Sequence, residues 1–168
     1  RKGFGTHAAE GVARLAARLG PDAQQLAIHV KGLEPPGYDP RGLKGVALAY
    51  AVACRGACHL RHVAYRPDLA GQHPFNPDQP IDRLDYASKP PLIVELEDFY
   101  ATTDSLILCR FLTLPSIGPI LWDRIHRLLT AITGWHIDLR RFGAQLNHAV
   151  RQLNTRYGLQ PHHDTLPP

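Results

Sequence analysis

The chain has 168 residues but no methionine, only three cysteines and few aromatic residues, at 8%. An odd number of cysteines without a secretory signal argues against a disulfide framework, so we expect reduced or metal-bound thiols in a cytoplasmic setting. No apolar stretch approaches the ~18 residues of a membrane-spanning helix. Because the chain starts at Arg1 without a methionine and has no natural end at Pro168, we expect a segment truncated at both ends.

The charge content is ordinary for a globular protein. Charged residues make up 20% of the chain, and the formal net charge is +4. Lysine and arginine are scattered, with no dense basic block of the kind that binds nucleic acid or a membrane surface. We therefore expect neither nucleic acid nor a membrane as a partner. The length and the 44% hydrophobic content suffice for one real core.

Most of the apolar residues follow helical spacing. Thr6 is a candidate N-cap for a first helix, which the apolar positions between 12 and 19 continue and Gly20 ends. Residues 43–54 are small and apolar on all sides, which is typical of a helix buried inside a larger protein. Residues 64–82 are rich in Pro, Asp, Asn and Gly, and this composition predicts a long loop.

Three further helices are predicted by their boundary residues. They run from Pro90 to Thr103, from a Ser116 cap to Gly134, and from an Asp138 cap to Gly158. The resulting fold class is all-α: an irregular multi-helix array with long loops.

One segment contains residue types found in metal and haem sites, but its spacing fits neither well: Cys54-Arg55-Gly56-Ala57-Cys58-His59. Its C-x3-C-H pattern has one residue more than the C-x-x-C-H of c-type haem attachment. A zinc site would need two more ligands at sensible spacing, and only His62 is close. Cys109, which lies among Leu and Ile, taken alone is typical of a small core residue.

Four motifs occur in order along the chain, and together they resemble the aldehyde:ferredoxin oxidoreductase family. They are Val30-Lys31-Gly32-Leu33-Glu34, Tyr38-Asp39-Pro40-Arg41-Gly42, Arg55-Gly56-Ala57-Cys58-His59-Leu60-Arg61 and Asp104-Ser105-Leu106-Ile107-Leu108-Cys109. The resemblance implies that residues 1–168 are part of the two helical C-terminal domains of a larger enzyme. That enzyme would oxidise aldehydes to carboxylic acids at a tungsten or molybdenum bis-pterin centre and pass electrons through a [4Fe-4S] cluster to ferredoxin.

The resemblance assigns roles at the fourth motif. The family pattern is Asp-x-x-Gly-Leu-Cys, in which the Asp end binds a pterin and the Cys is the fourth ligand of the [4Fe-4S] cluster. Asp104 and Leu108 would accordingly be cofactor-binding residues, and Cys109 the cluster ligand. Ile107 replaces the usual Gly, which could change how closely the backbone approaches the pterin.

The same resemblance assigns the catalytic residues. His59 would give or take a proton beside the metal-bound substrate, since an imidazole titrates near neutrality. Tyr38, on a loop made rigid by Pro40, would hydrogen-bond the aldehyde oxygen. Arg61 would contact the pterin or its phosphate, although a solvated arginine at a helix end is the simpler alternative.

Simpler structural interpretations apply to the first two motifs. Lys31 and Glu34 fit the family pattern, but an ion pair is the plainer interpretation of both. Without the resemblance, Tyr38 would lie in a proline-rich turn with a surface Asp39–Arg41 pair.

The sequence leaves several alternatives open. The other three cluster ligands would come from an upstream C-x2-C-x3-C run, so we expect the isolated chain to bind neither cluster nor pterin and to be inactive. The parent could act on another substrate, such as an aromatic acyl thioester, or the chain could be a non-catalytic helical module. The choice of metal, the aldehyde substrate and homo-oligomerisation also stay open.

Overall fold

A computed structural model describes residues 3–113 and 118–167, with only the backbone described at 118–121. The described part is helical and contains no β-strand, only isolated bridges between Val30 and Leu33 and between Gln72 and Pro80. This confirms the all-α prediction. The helices are α1 (Gly5–Ala8), α2 (Val12–Leu19), α3 (Pro21–Leu26), α4 (Lys44–Val52), α5 (Tyr65–Ala70), α6 (Lys89–Ser105), α7 (Gly118–Thr133) and α8 (Leu139–Arg156), with 3₁₀ turns at Arg110–Thr113 and Pro161–His163.

Helices α4 and α6 supply most of the core. In α4 five of nine residues are buried, as the all-round apolar pattern predicted. In α6 the side chains of Leu92, Leu96 and Phe99 are at most 1% exposed. Pro90 lies in the first turn of α6, where the missing N–H costs no helical hydrogen bond.

Helix α8 packs closely on α6 because Gly143 has no side chain. A Cβ at Gly143 would lie 2.2 Å from the carbonyl oxygen of Asp98. The contact is completed by a hydrogen bond from Thr102 Oγ1 to the Leu139 carbonyl at 3.1 Å. As predicted, Asp138 is the N-cap of α8, and its carboxylate accepts from the backbone N–H of Arg141 at 3.0 Å.

Two local predictions were wrong. Thr6 lies inside α1, whose N-cap is Phe4, and α2 is a separate helix that begins after Gly11. The N-terminus of α2 is instead capped from a distant segment, since the Glu34 carboxylate accepts from the N–H of Val12 at 2.6 Å.

The predicted loop at 64–82 contains helix α5. Pro67 is compatible with this helix because it falls in the first turn, and Gly71 ends the helix in the left-handed conformation with φ +70°. The predicted cap at Ser116 lies outside the described residues.

Helices α4, α5 and α6 meet at the buried carboxylate of Asp68. Its Oδ1 lies 2.7 Å from Lys89 Nζ, and both side chains are at most 1% exposed. Its Oδ2 accepts from the backbone N–H groups of Gly45 at 2.8 Å and Val46 at 3.2 Å, at the first turn of α4. A Cβ at Gly45 would lie 2.9 Å from both Asp68 oxygens, so this approach requires glycine.

Replacing Asp68 should therefore strongly destabilise the fold. Asp68→Ala leaves the Lys89 ammonium buried without its partner, and breaking such a pair costs about 3–5 kcal/mol. Urea unfolding of the purified chain measures the loss. Asp123→Ala, which removes an exposed pair with Arg127 on α7, is the matched control and should leave the unfolding midpoint nearly unchanged. Equal small effects of the two substitutions would contradict this view of Asp68.

Candidate functional site

Tyr38 and His59, which are 21 residues apart in the sequence, lie side by side in the structure. Their ring centroids are 5.7 Å apart. A third ring, that of Tyr65, stacks on Tyr38 with centroids 4.1 Å apart and planes 8° from parallel, and it lies 6.3 Å from His59. All three rings are half-buried. The structure thus brings the two predicted catalytic residues together and adds one that the sequence did not indicate.

His59 reaches this position because the loop after α4 packs against the turn at Val30–Leu33. Gly56 in that loop has φ +96°, and a Cβ there would lie 2.2 Å from the Val30 carbonyl oxygen. Only glycine fits both the backbone angle and the close approach. The N–H of Val63 donates to the His59 carbonyl at 3.0 Å and closes the loop.

The protonation states of the two predicted catalytic groups are complementary. Burial, helped by the nearby Arg55, lowers the pKa of His59 below its usual 6.5. Burial, helped by the neighbouring Tyr65, raises the pKa of Tyr38 above its usual 10.0. At neutral pH the site therefore combines a neutral imidazole, which accepts a proton, with a protonated phenol, which donates a hydrogen bond.

A second cluster forms around Asp104, at the end of α6. Arg61 Nη1 lies 3.1 Å from Asp104 Oδ2, and Arg110 Nη2 lies 2.5 Å from Oδ1. The guanidinium of Arg110 also lies over the ring of Tyr100, 4.1 Å from its centroid. Arg61 and Asp104, both predicted to contact the pterin, are therefore direct partners of each other, and Arg110 is a member that the sequence did not indicate.

Helix α6 ends in a Schellman motif, and this motif explains the family glycine that Ile107 replaces. Ile107 has φ +57°, and its N–H donates to the Asp104 carbonyl at 3.0 Å. The N–H of Leu108 donates to the Thr103 carbonyl at 3.1 Å. The residue with positive φ in this motif is usually glycine, and the following apolar residue packs back on the helix. Leu108 does so, since it packs against the core.

The Schellman motif directs the chain so that Cys109 is exposed. The alternative that Cys109 is a small core residue is therefore wrong. Cys58 is buried, and its sulfur accepts a hydrogen bond from Arg55 Nη2 at 2.7 Å, while Cys54 is half-buried. Within residues 3–113 and 118–167 no group of three His, Cys, Asp or Glu side chains could hold a metal ion.

Lys31 and Glu34 have structural contacts. Lys31 Nζ lies 2.6 Å from the carboxylate of Asp164 and donates to the Ala51 carbonyl at 2.5 Å. The expected ion pair between Lys31 and Glu34 is therefore wrong, because Lys31 pairs with Asp164 instead. Glu34 caps α2.

A cleft of about 580 Å³ lies beside Tyr38. Its walls are mostly apolar and include Ile28, Val30, Pro35 and Pro36. Its volume is in the range of pockets that hold small organic ligands.

The candidate site thus comprises Tyr38 and His59 close together, an apolar cleft lined by Tyr38, and the segment from Asp104 to the exposed Cys109. The sequence model of the family described as "Aldehyde ferredoxin oxidoreductase, domains 2 & 3" matches residues 1–168. The chain belongs to this family.

Individual relatives agree with that assignment. The chain is 38% identical to a tungsten-containing aldehyde ferredoxin oxidoreductase of Pyrococcus furiosus, 36% to that of Pyrococcus abyssi and 35% to that of Thermococcus kodakarensis. Each similarity covers 99% of this chain but only 26–27% of the relative. The chain thus spans about a quarter of the length of these curated relatives. In the part of the chain that the structure describes, no helix is both long and apolar enough to cross a membrane.

Two site residues were missed by the sequence. Tyr65 falls in a segment predicted to be a loop, and no motif pointed to it. Arg110 directly follows Cys109, but an arginine after a motif is too common to single out. Tyr65 contacts Tyr38, which is 27 positions away in the sequence, and Arg110 contacts Asp104, which is 6 positions away. Folding of the backbone brings both pairs together.

Restoring the family glycine at Ile107 should stabilise the chain. Ile107 is β-branched, has positive φ and is 92% exposed, so Ile107→Gly relieves about 1 kcal/mol of backbone strain and loses little buried surface. The free energy of unfolding in urea measures the gain. Val94→Gly, at an exposed β-branched residue inside α6, should instead lose about 0.5 kcal/mol. A loss at both positions would show that Ile107 is not strained.

Proposed function

We propose that the full-length protein containing this chain oxidises aldehydes to carboxylic acids at a tungsten or molybdenum bis-pterin centre. Its electrons would pass through a [4Fe-4S] cluster to ferredoxin. The observation that carries this proposal is the pairing of Tyr38 with His59, a phenol kept protonated and an imidazole kept neutral, with ring centroids 5.7 Å apart and Tyr38 lining an apolar cleft. Family membership and the names of the relatives support it.

Tyr38 binds and polarises the aldehyde. Its phenol donates a hydrogen bond to the carbonyl oxygen, which makes the carbonyl carbon more electrophilic. The adjoining apolar cleft has room for the substituent on that carbon. The substrate class that fits best is therefore an aldehyde with an apolar substituent.

His59 handles the proton. The reaction adds the oxygen of a water molecule to the carbonyl carbon and breaks the aldehyde C–H bond, which releases two electrons and two protons in all. The neutral imidazole accepts the proton that the water gives up. The removal of two electrons, and their delivery one at a time to ferredoxin, is the chemistry that the metal–pterin centre and the [4Fe-4S] cluster supply when bound.

The residues at the end of α6 fit these groups. Cys109 is exposed, so its thiolate is accessible to a cluster whose other three ligands come from elsewhere in the parent. Asp104 keeps 35% of its side chain exposed while two guanidiniums orient it, so it can also accept from pterin N–H groups. We assign the pterin contacts to Asp104, Leu108 and Arg61.

Other properties of the parent belong to the same proposal. We place it in the cytoplasm, with ferredoxin as electron acceptor and an aldehyde as substrate. The chain by itself should bind neither group and should be inactive, because it offers one proposed cluster ligand out of four.

Substituting His59 tests the catalytic assignment. In the full-length enzyme His59→Asn should lower kcat about 100-fold, because the proton acceptor is lost. His7→Asn, at an exposed histidine in α1, is the matched control and should leave kcat unchanged. Tungsten content should be the same in both variants. A His59→Asn variant with normal kcat would refute the role of His59.

The pH dependence of the wild type provides a second readout. Because the pKa of His59 is lowered, the imidazole stays neutral below pH 6.5, and kcat/KM should fall only at more acidic pH. The value of kcat/KM falls there because protonated His59 can no longer accept a proton. A limb centred above pH 6.5 would contradict the assignment.

Substituting Cys109 tests the cluster assignment. Cys109→Ser in the full-length protein should abolish or alter the electron paramagnetic resonance signal of the reduced cluster and lower the iron content, because a thiolate ligand is lost. Cys54→Ser, at a half-buried thiol, is the matched control and should retain the signal. An unchanged signal in Cys109→Ser would place the fourth ligand elsewhere.

A further inference from the structure

We infer that Tyr65 is a positioning residue of this site, which fixes the ring of Tyr38 by stacking against it. The inference rests on the proposed function, in which Tyr38 donates to the substrate oxygen. It adds a residue that lies in no motif and that the sequence did not indicate.

The backbone around Tyr38 does not fix its ring. Pro36 and Pro40 restrict the loop, and the N–H of Tyr38 donates to the Pro36 carbonyl at 2.8 Å. These constraints act on φ and ψ, whereas the direction of the phenol depends on the side-chain torsions χ1 and χ2. Those torsions depend on what the ring contacts, and Tyr38 packs against the core and lies 5.7 Å from the ring of His59.

Among the described ring contacts of Tyr38, that with Tyr65 has the shortest centroid distance. Its ring lies against Tyr38 with centroids 4.1 Å apart and planes 8° from parallel, so a rotation of the Tyr38 ring would break the contact over its whole face. Arg66 follows Tyr65 and has its guanidinium 6.0 Å from the Tyr65 ring centroid.

Tyr65 is itself held by the core of the protein. It is the first residue of α5, and Asp68, three positions later in that helix, is the buried carboxylate that binds Lys89 and the first turn of α4. Any rotation or shift of α5 would break those bonds. The stacked ring of Tyr65 thus connects the orientation of Tyr38 to the buried Asp68–Lys89 pair, in addition to the packing of Tyr38 against the core.

The test compares Tyr65→Leu with Tyr65→Phe in the full-length enzyme loaded with its metal–pterin centre. The Leu variant loses the aromatic face and should lower kcat/KM about 10- to 100-fold, because a small misplacement of a binding group costs this much. The Phe variant keeps the face and should stay within about twofold of the wild type. Tyr157→Leu, at a tyrosine that is 83% exposed after α8, is the matched control and should have no effect.

A second readout does not depend on catalysis. Tetranitromethane nitrates accessible phenols, and peptide mass spectrometry reports the rate at Tyr38 alone. A stacked, half-buried ring reacts slowly, so Tyr38 should be nitrated faster in Tyr65→Leu and at the wild-type rate in Tyr65→Phe. Equal tungsten content in all variants would show that the fold is intact.

The outcomes separate the inference from the function on which it rests. If Tyr65→Leu changes neither kcat/KM nor the nitration of Tyr38, the positioning role is wrong. If Tyr65→Phe loses as much activity as Tyr65→Leu, the hydroxyl acts and positioning by stacking is wrong. A loaded wild type that oxidises no aldehyde would refute the proposed function, and the nitration rates would still decide whether Tyr65 orders Tyr38.

Discussion

Asp68 and Lys89 form an ion pair shut off from solvent where α4, α5 and α6 meet. Two charges are buried there only because each has further partners: the first turn of α4 donates to the carboxylate, and Lys89 also donates to the Asp82 carbonyl. Each functional segment adjoins or belongs to one of these three helices, and the Tyr38 loop leads into α4. The His59 loop follows α4, Tyr65 begins α5, and the Asp104–Cys109 segment ends α6, so their relative placement depends on this junction.

One ion pair links the two halves of the proposed chemistry. Arg61 lies two residues after His59, and it binds Asp104, which lies five residues before Cys109. The segment that would handle the proton and the segment that would hold the cofactors are therefore tied by a charge-assisted hydrogen bond, in addition to their packing on the same core. Arg110 binds the other oxygen of Asp104, so the carboxylate is oriented from two sides.

Local backbone preferences are broken beside these functional residues. Ile107 holds a left-handed conformation that suits glycine, two residues before Cys109, and Lys31 does so in the turn against which the His59 loop packs. Such conformations persist only where the surroundings impose them. Around Ile107 these surroundings are the two Schellman hydrogen bonds and the packing of Leu108; around Lys31 they are the buried ammonium's bonds to Ala51 and Asp164.

The sequence by itself determined the elements whose signals are local. Helix α4 followed from a segment that is apolar on all sides, and α6, α7 and α8 followed from apolar spacing and from Pro, Asp and Gly near their ends, because caps and periodicity act within a few residues. The family resemblance of the motifs led to the prediction that Tyr38 and His59 are catalytic.

Only the tertiary structure decided that Glu34 caps α2, that α5 interrupts a proline-rich loop, that Tyr65 stacks on Tyr38, and that Arg61 and Arg110 share Asp104. Each of these contacts forms between groups that meet only after the chain has folded. The residue type at one position does not indicate which distant residue it will contact, at what distance, or how deeply the two will be buried.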